Sequence, residues 1–124
     1  MSEKKYTKDH EWIELDGETA IIGITNHAQE SLGDIVFVDL PEIGKEVSVG
    51  GEVSVIESVK AASDIYSPVE GEIIEVNNNL NDNAVLINQE AETKGWIFKV
   101  KITDKVQLAN YMSLSDYESF LKQE

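Results

Sequence analysis

The segment "ESVKAASD", residues 57–64, sets one cation, Lys60, between two carboxylates, Glu57 and Asp64, and follows it with the small residues Ala61, Ala62 and Ser63. A lysine that works through its own nitrogen, as a Schiff base or a general base, needs burial or a neighbouring cation to shed its proton near neutral pH. Neither stands in this segment. Glu57 and Asp64 favour the charged ammonium, and the small residues leave it unshielded. The chemistry that remains is acylation: an amine presented on a rigid turn can be modified by another enzyme, which removes its charge and hangs a cofactor on a long stem. The plainer reading is an ordinary surface lysine in a hairpin, and composition alone favours it. The other chemically capable residues are His10, Glu11 and His27. Two isolated histidines make a weak metal signal, and structural roles account for them more simply. An enzyme built on these three would turn over a substrate with no added group.

The elements that must position Lys60 are β-strands. At 124 residues the chain suits one domain, 1–124, large enough to bury a core without staples. Lys plus Arg number 10 and Asp plus Glu 24, a net charge of −14. That excess argues against a nucleic-acid backbone or an anionic membrane as partner and favours basic proteins. The acidic residues are scattered and 41% of the chain is apolar, as in a folded protein. Cysteine is absent, which excludes disulfides, thiolate metal sites and thiol nucleophiles, so any redox chemistry has to be brought in. "MSEKKYTKDHEW" has basic residues with no apolar stretch behind them, which predicts a cytoplasmic, untargeted protein.

"EWIELDGETAIIGIT" contains Asp16-Gly17 between two runs of β-formers and predicts a hairpin with a type I′ turn. Thr25 is placed to cap a two-turn helix over "NHAQESLG", with Ala28 and Leu32 on one face and Gly33 at the left-handed C′ position. "DIVFVDLP" reads as a buried strand ended by Pro41. "PEIGKEVSV" (41–49) then aligns weakly with "PVEGEIIEV" (68–76), an offset of 27 residues that pairs Gly44 with Gly71. Lys60 falls midway between the copies, where a pseudo-twofold axis places a hairpin tip. "GWIFKVKIT" alternates Trp96, Phe98, Val100 and Ile102 on one side with Lys99 and Lys101 on the other. Thr103 and Ser115 are candidate helix caps, Ser115 forming a capping box with Glu118. The pattern predicts a mostly β protein, a flattened sandwich or barrel with short peripheral and C-terminal helices.

"ESVKAASDIYSPVEGEIIEVN" resembles the lipoyl-attachment segment of the glycine cleavage system H proteins. "HEW" (10–12), "GIT" (23–25), "HAQESLGDIVFVDLP" (27–41), "NNNL" (77–80), "LIN" (86–88) and "GW" (95–96) follow in the order of that family. The lipoyl domains of 2-oxo acid dehydrogenases are similar only around "DKA" and biotin carriers only around "MKM"; "SVKA" departs from both, which disfavours a biotin carrier. The resemblance implies a barrel-sandwich hammerhead with lipoate in amide linkage to Lys60, and a carrier with no turnover of its own. It further implies that the lipoyl arm takes an aminomethyl group as glycine decarboxylase (P protein) removes carbon dioxide. The arm then passes the one-carbon unit to tetrahydrofolate at the aminomethyltransferase (T protein), and dihydrolipoamide dehydrogenase (L protein) reoxidises it. The thiol sulfurs that a chain without cysteine lacks would arrive with lipoate.

An aminomethyl adduct hydrolyses readily, so a carrier gains by tucking it into a cleft where a carboxylate pairs with its ammonium. The resemblance puts that role on Glu11 and Asp64, whose plainer reading is solvated charge. Glu57 resembles the acidic position read by lipoate-attaching enzymes, and Gly71 matches the family glycine of the second turn. Asp9 stands where the family often has Ser. The family also has prolines ahead of "GW" where this chain has Ala84 and "EAETKGW" with Ala91, which predicts a looser loop. A neighbouring reading keeps the carrier and changes its network: an H-like protein that relays lipoate to another lipoate-dependent system.

Overall fold

The computed structural model describes residues 4–102 and 108–123. The chain opens with β1 (Lys4–Tyr6), β2 (Glu11–Asp16) and β3 (Thr19–Ile24), then α1 (Asn26–Leu32) and β4 (Ile35–Asp39). It continues through β5 (Glu46–Val47), β6 (Glu52–Ser58), β7 (Ala62–Tyr66) and β8 (Gly71–Val76) to α2 (Asn79–Asp82), α3 (Leu86–Glu90), β9 (Phe98–Ile102) and α4 (Leu114–Lys122). The strands make two antiparallel sheets, a six-stranded one in the order β1-β2-β3-β9-β8-β5 and a three-stranded one in the order β4-β6-β7. Their inner faces meet in one core that includes Ile13, Ile22, Ile56, Ile73, Phe98 and Val100. Mostly β architecture with short helices is what the sequence predicts. No helix among the described residues is long and apolar enough to cross a membrane.

Several local expectations change. Asp16 pairs with Thr19, so the first hairpin turns on Gly17-Glu18, and only Gly17 has positive φ (64°). That is the signature of a type II′ turn with glycine at the first central position, where type I′ needs two positive φ angles. Thr25 does cap α1, accepting from the Ala28 N–H at 3.3 Å. Gly33 ends that helix at φ 80°, ψ −153°, a region open to glycine alone and distinct from the left-handed helical C′. The strand "DIVFVDLP" is only half buried: Ile35 and Val38 face the core, whereas a bulge between Ile35 and Phe37 turns Val36 and Phe37 outward.

The two copies of the weak repeat lie side by side, Glu46 paired with Glu72 and Val47 with Gly71, although the first copy's strand is two residues long and the second's six. In the last strand, Phe98, Val100 and Ile102 face inward as predicted. Trp96 leaves that series. It packs in a second cluster with Tyr6, Trp12 and Tyr117, and the Lys99 ammonium lies 4.7 Å from its ring centre. Ile97 takes a core position instead. The cap of α4 is Ser113, whose hydroxyl accepts from the Asp116 N–H at 3.2 Å, so the box on Ser115 and Glu118 falls two residues too late. Thr103 lies outside the described residues.

Candidate functional site

Lys60 stands where the repeat puts it, at the tip of the β6–β7 hairpin. Ser58 makes the turn. Its hydroxyl accepts from the backbone N–H groups of Lys60 (3.3 Å) and Ala61 (3.1 Å), and its own N–H donates to the Ala61 carbonyl at 2.8 Å. A short polar side chain bonding the backbone two and three residues on closes a loop locally, and Val59 and Lys60 are thereby held outward. The Val59 N–H donates to the Asp34 carbonyl at 3.0 Å, which fastens the tip to the link between α1 and β4. A Cβ built on Gly33 would lie 3.6 Å from Lys60 Cε, so the lysine stem crosses that link at close range. The residue is exposed, and nothing among the described residues bonds its amine.

Asn88 fixes the link from below. Its Oδ1 accepts from the Ile35 N–H, and its Nδ2 donates to the Gly33 carbonyl and to Gln29 Oε1, each at 2.9 Å. This residue sits inside the quoted "LIN", but its role depends on contacts more than fifty positions away.

Between α1 and the edge of β7 runs an open cleft of about 380 Å³ lined by Asp9, His10, His27, Ser31 and Asp64 among others. Asp64 is exposed on β7. His10 and His27 are in ring contact, centres 4.5 Å apart. His10 has φ 67°, a left-handed conformation unusual for a non-glycine residue, and its Nδ1 meets Tyr117 Oη at 2.8 Å. The same hydroxyl lies 2.8 Å from Thr25 Oγ1. The C-terminal helix therefore pins the "HEW" turn and the α1 cap with one side chain. His27 Nδ1 is buried with no hydrogen-bond partner among the described residues.

Glu11 lies apart from Asp64, in the wall of a second cavity of about 310 Å³. Asp9 lines both spaces. The Glu11 side chain is buried; Oε2 accepts from the Tyr66 N–H at 3.0 Å and Oε1 from the Thr7 hydroxyl at 3.3 Å. Burial pushes its carboxyl from the ordinary 4.5 up to about 7; the Tyr66 and Thr7 hydrogen bonds oppose that rise and the Asp9 carboxylate adds to it. The folded protein thus holds this proton more tightly than the unfolded chain. The associated stability is full below 4.5 and is lost as pH rises through about 7. Such a shift corresponds to about 3 kcal/mol. Glu11→Gln keeps an acceptor for Tyr66 and carries no charge. Urea unfolding should then show a variant that lacks the Glu11-linked fall in stability between pH 4.5 and about 7 and that exceeds wild type by about 1–3 kcal/mol above that window. An unchanged slope would remove Glu11 as its source.

Glu57 is exposed on the outer face of the three-stranded sheet, opposite Phe37 and Ala62. Gly71 opens β8 and lies outside the preceding turn; its φ is not positive, and a Cβ there would fall 2.2 Å from the Lys101 carbonyl oxygen. The segment expected to be loose is tied down: Ala91 is buried, its carbonyl accepts the Trp12 indole N–H at 2.9 Å, and the Gly95 N–H donates to the Glu90 carbonyl at 2.8 Å.

Comparison with known proteins fits this geometry. Residues 4–124 match the family model described as Glycine cleavage H-protein. The chain is 51% identical to the glycine cleavage system H protein of Thermotoga maritima over 124 residues, the full length of both. It is 54% identical to that of Escherichia coli over 125 residues, covering 99% of this chain and 96% of the relative. The crystal structure of a glycine cleavage system H protein from Mycobacterium marinum superposes with a TM-score of 0.88 at 36% identity over 97% of each chain. The chain belongs to the glycine cleavage H-protein family, the non-catalytic lipoyl carriers of the glycine cleavage system.

Proposed function

We propose that Lys60 carries lipoate in amide linkage and that residues 1–124 act as one cytoplasmic carrier domain. The observation that carries this reading is the exposed amine with no partner among the described residues, held out by Ser58 while its stem lies over Gly33 beside the cleft. These features suit the group: the amine is open to acylation, and the adjoining cleft has two carboxylates for a cationic end. Held there by Lys60, lipoate would supply a redox-active dithiolane able to carry an aminomethyl group between the decarboxylase (P protein) and the aminomethyltransferase (T protein), with dihydrolipoamide dehydrogenase (L protein) as the enzyme that would restore its oxidised form.

The protein's own residues present, shelter and position. The β6–β7 turn keeps the stem clear of the sheet. Asp64 and Asp9 offer carboxylates to an ammonium in a cleft that excludes part of the solvent, where the attraction is stronger than in bulk water. Glu11 acts through Tyr66: its bond to that N–H fixes β7 two residues beyond Asp64. Glu57, on the β6 arm of the hairpin, is the acidic position offered to the lipoate-attaching enzyme. Gly71 keeps β8 close against β9, which holds the sheet that backs the hairpin.

The test is intact mass with peptide mapping on protein produced with and without a lipoate supply. One lipoyl increment confined to the Lys60 peptide is the expected result. An increment on another peptide, or none under conditions that load an H protein of known modification, overturns the assignment.

A further inference from the structure

The three hydrogen bonds of the Asn88 side chain all leave its own helix, α3, and converge on one short stretch of chain. Oδ1 accepts from the Ile35 N–H, and Nδ2 donates to the Gly33 carbonyl and to Gln29 Oε1. Both Nδ2 protons are thereby used, which decides the end of the amide that meets each backbone group. The Ile35 bond reaches further than Ile35. A trans peptide points its C=O and N–H in opposite directions, and no described peptide is cis. With the Ile35 N–H turned in to Asn88, the Asp34 carbonyl of the same peptide is turned out, and there it accepts from the Val59 N–H at 3.0 Å. Val59 is the residue before Lys60. The Lys60 N–H is taken by Ser58 Oγ at 3.3 Å, so Ser58 shapes the turn from within while the Val59 bond leaves it and sets its direction. The lysine stem then passes Gly33, with Cε 3.6 Å from where a side chain would start, and the preceding Leu32 and Ser31 line the cleft. At φ 80°, ψ −153°, the link takes this path only with glycine.

We propose that Asn88 is a positioning residue for the lipoyl arm: by holding the α1–β4 link it fixes the direction in which the Lys60 stem leaves the hairpin, over Gly33 and toward the cleft. The inference rests on Lys60 being the lipoylated residue. Asn88 does not line the cleft and acts only through the backbone of Gly33 to Ile35. A stem held in one direction has less conformational freedom to lose when the arm lies down, so the docked, partly dehydrated arrangement is reached at lower cost. Without Asn88 the Gly33 carbonyl and the Ile35 N–H need new partners, the Asp34 carbonyl is free to turn, and the root of the arm swings.

The experiment is nuclear magnetic resonance on the fully lipoylated protein, made with lysine isotope-labelled at Nζ and, in a second sample, along the backbone. Only an acylated lysine Nζ gives an amide resonance, so the first sample reports the root of the arm and the second the Val59 N–H. The variants are Asn88→Ala, Asn88→Leu, Gly33→Ala and Ile13→Val, the last removing a buried methyl group from β2 in the core. Asn88→Leu occupies the space of the amide without its bonds and carries the test if Asn88→Ala does not fold; Gly33→Ala disturbs the same link with Asn88 intact. In wild type the Lys60 Nζ resonance should be broader than, and displaced from, that of a lipoylated lysine in a short peptide. In the Asn88 variants and in Gly33→Ala it should narrow and move toward the peptide position, and deuterium exchange at the Val59 N–H should rise about tenfold, the equivalent of one backbone hydrogen bond. Ile13→Val should leave both unchanged. A wild-type resonance already at the peptide position, an unchanged Val59 exchange rate in the Asn88 variants, or the same changes in Ile13→Val would overturn the positioning role and leave the lysine assignment standing. A loaded wild type with no Lys60 Nζ amide resonance would remove both.

Discussion

Lys60→Arg is expected to gain no lipoyl mass and to support no glycine cleavage with the three partner enzymes, while unfolding within about 0.5 kcal/mol of wild type. The reason lies in the geometry of the tip. The turn is held by backbone groups and the Ser58 hydroxyl, none of which involves the lysine amine, so the substitution removes no structural bond. Arginine keeps the charge and most of the stem, but its guanidinium stays protonated at any workable pH and does not serve as an acyl acceptor in place of an amine. Intact mass reads the first loss, glycine-dependent carbon dioxide release the second, and urea unfolding the unchanged fold. A lipoylated Lys60→Arg protein would mean that another lysine carries the arm.

Gly71→Ala should be the most damaging small substitution in the carrier, costing about 3 kcal/mol or more of a total that for such domains is about 5–15 kcal/mol. The new Cβ would lie 2.2 Å from the Lys101 carbonyl oxygen, 2.7 Å from Val100 Cγ1 and 3.0 Å from the Lys101 carbonyl carbon. Two of these atoms are backbone of β9, which pairs Ile102 with Gly71 and Lys101 with Glu72. Relief requires the strands to part at that end of the sheet. On its other side Gly71 pairs with Val47 of β5, so the disturbance reaches both neighbours. Urea unfolding of Gly71→Ala measures the cost, and a loss below about 1 kcal/mol would show that the sheet relaxes freely.

These two residues show how differently the chain discloses its parts. Lys60 could be read from its own neighbours: small residues, two carboxylates and a position between two similar strand segments already argued for a presented amine. The Ser58 turn went unread, although a short hydroxyl side chain two positions before the lysine is a local closer of turns. Gly71 was visible as a glycine and was assigned to a turn. Its actual constraint is a carbonyl thirty residues downstream in sequence, which no local pattern carries. Trp96 failed for a similar reason, since period-two alternation describes a strand but says nothing of where it begins, and the Trp96 side chain joins Tyr6, Trp12 and Tyr117. The same gap explains Val36 and Phe37: an apolar run looks buried until a bulge turns two of its members to solvent.

The site divides along that line as well. Glu11 and Asp64 are two acidic residues suggested for one cleft, and the fold sets them on different cavities with Asp9 lining both. The Tyr117 hydroxyl, which meets His10 and Thr25, comes from 107 and 92 positions away. By itself the sequence determined the class of fold, a lysine presented at a hairpin tip, the cap on α1 and the lack of any thiol, because propensity, turn chemistry and residue type act over a few positions. Tertiary structure alone decided which carboxylates face the cleft, what pins the "HEW" turn, why Gly71 must lack a side chain and which apolar residues are left exposed beside the lysine. Those outcomes depend on close packing between distant segments, and packing is set only when the two sheets have closed on each other.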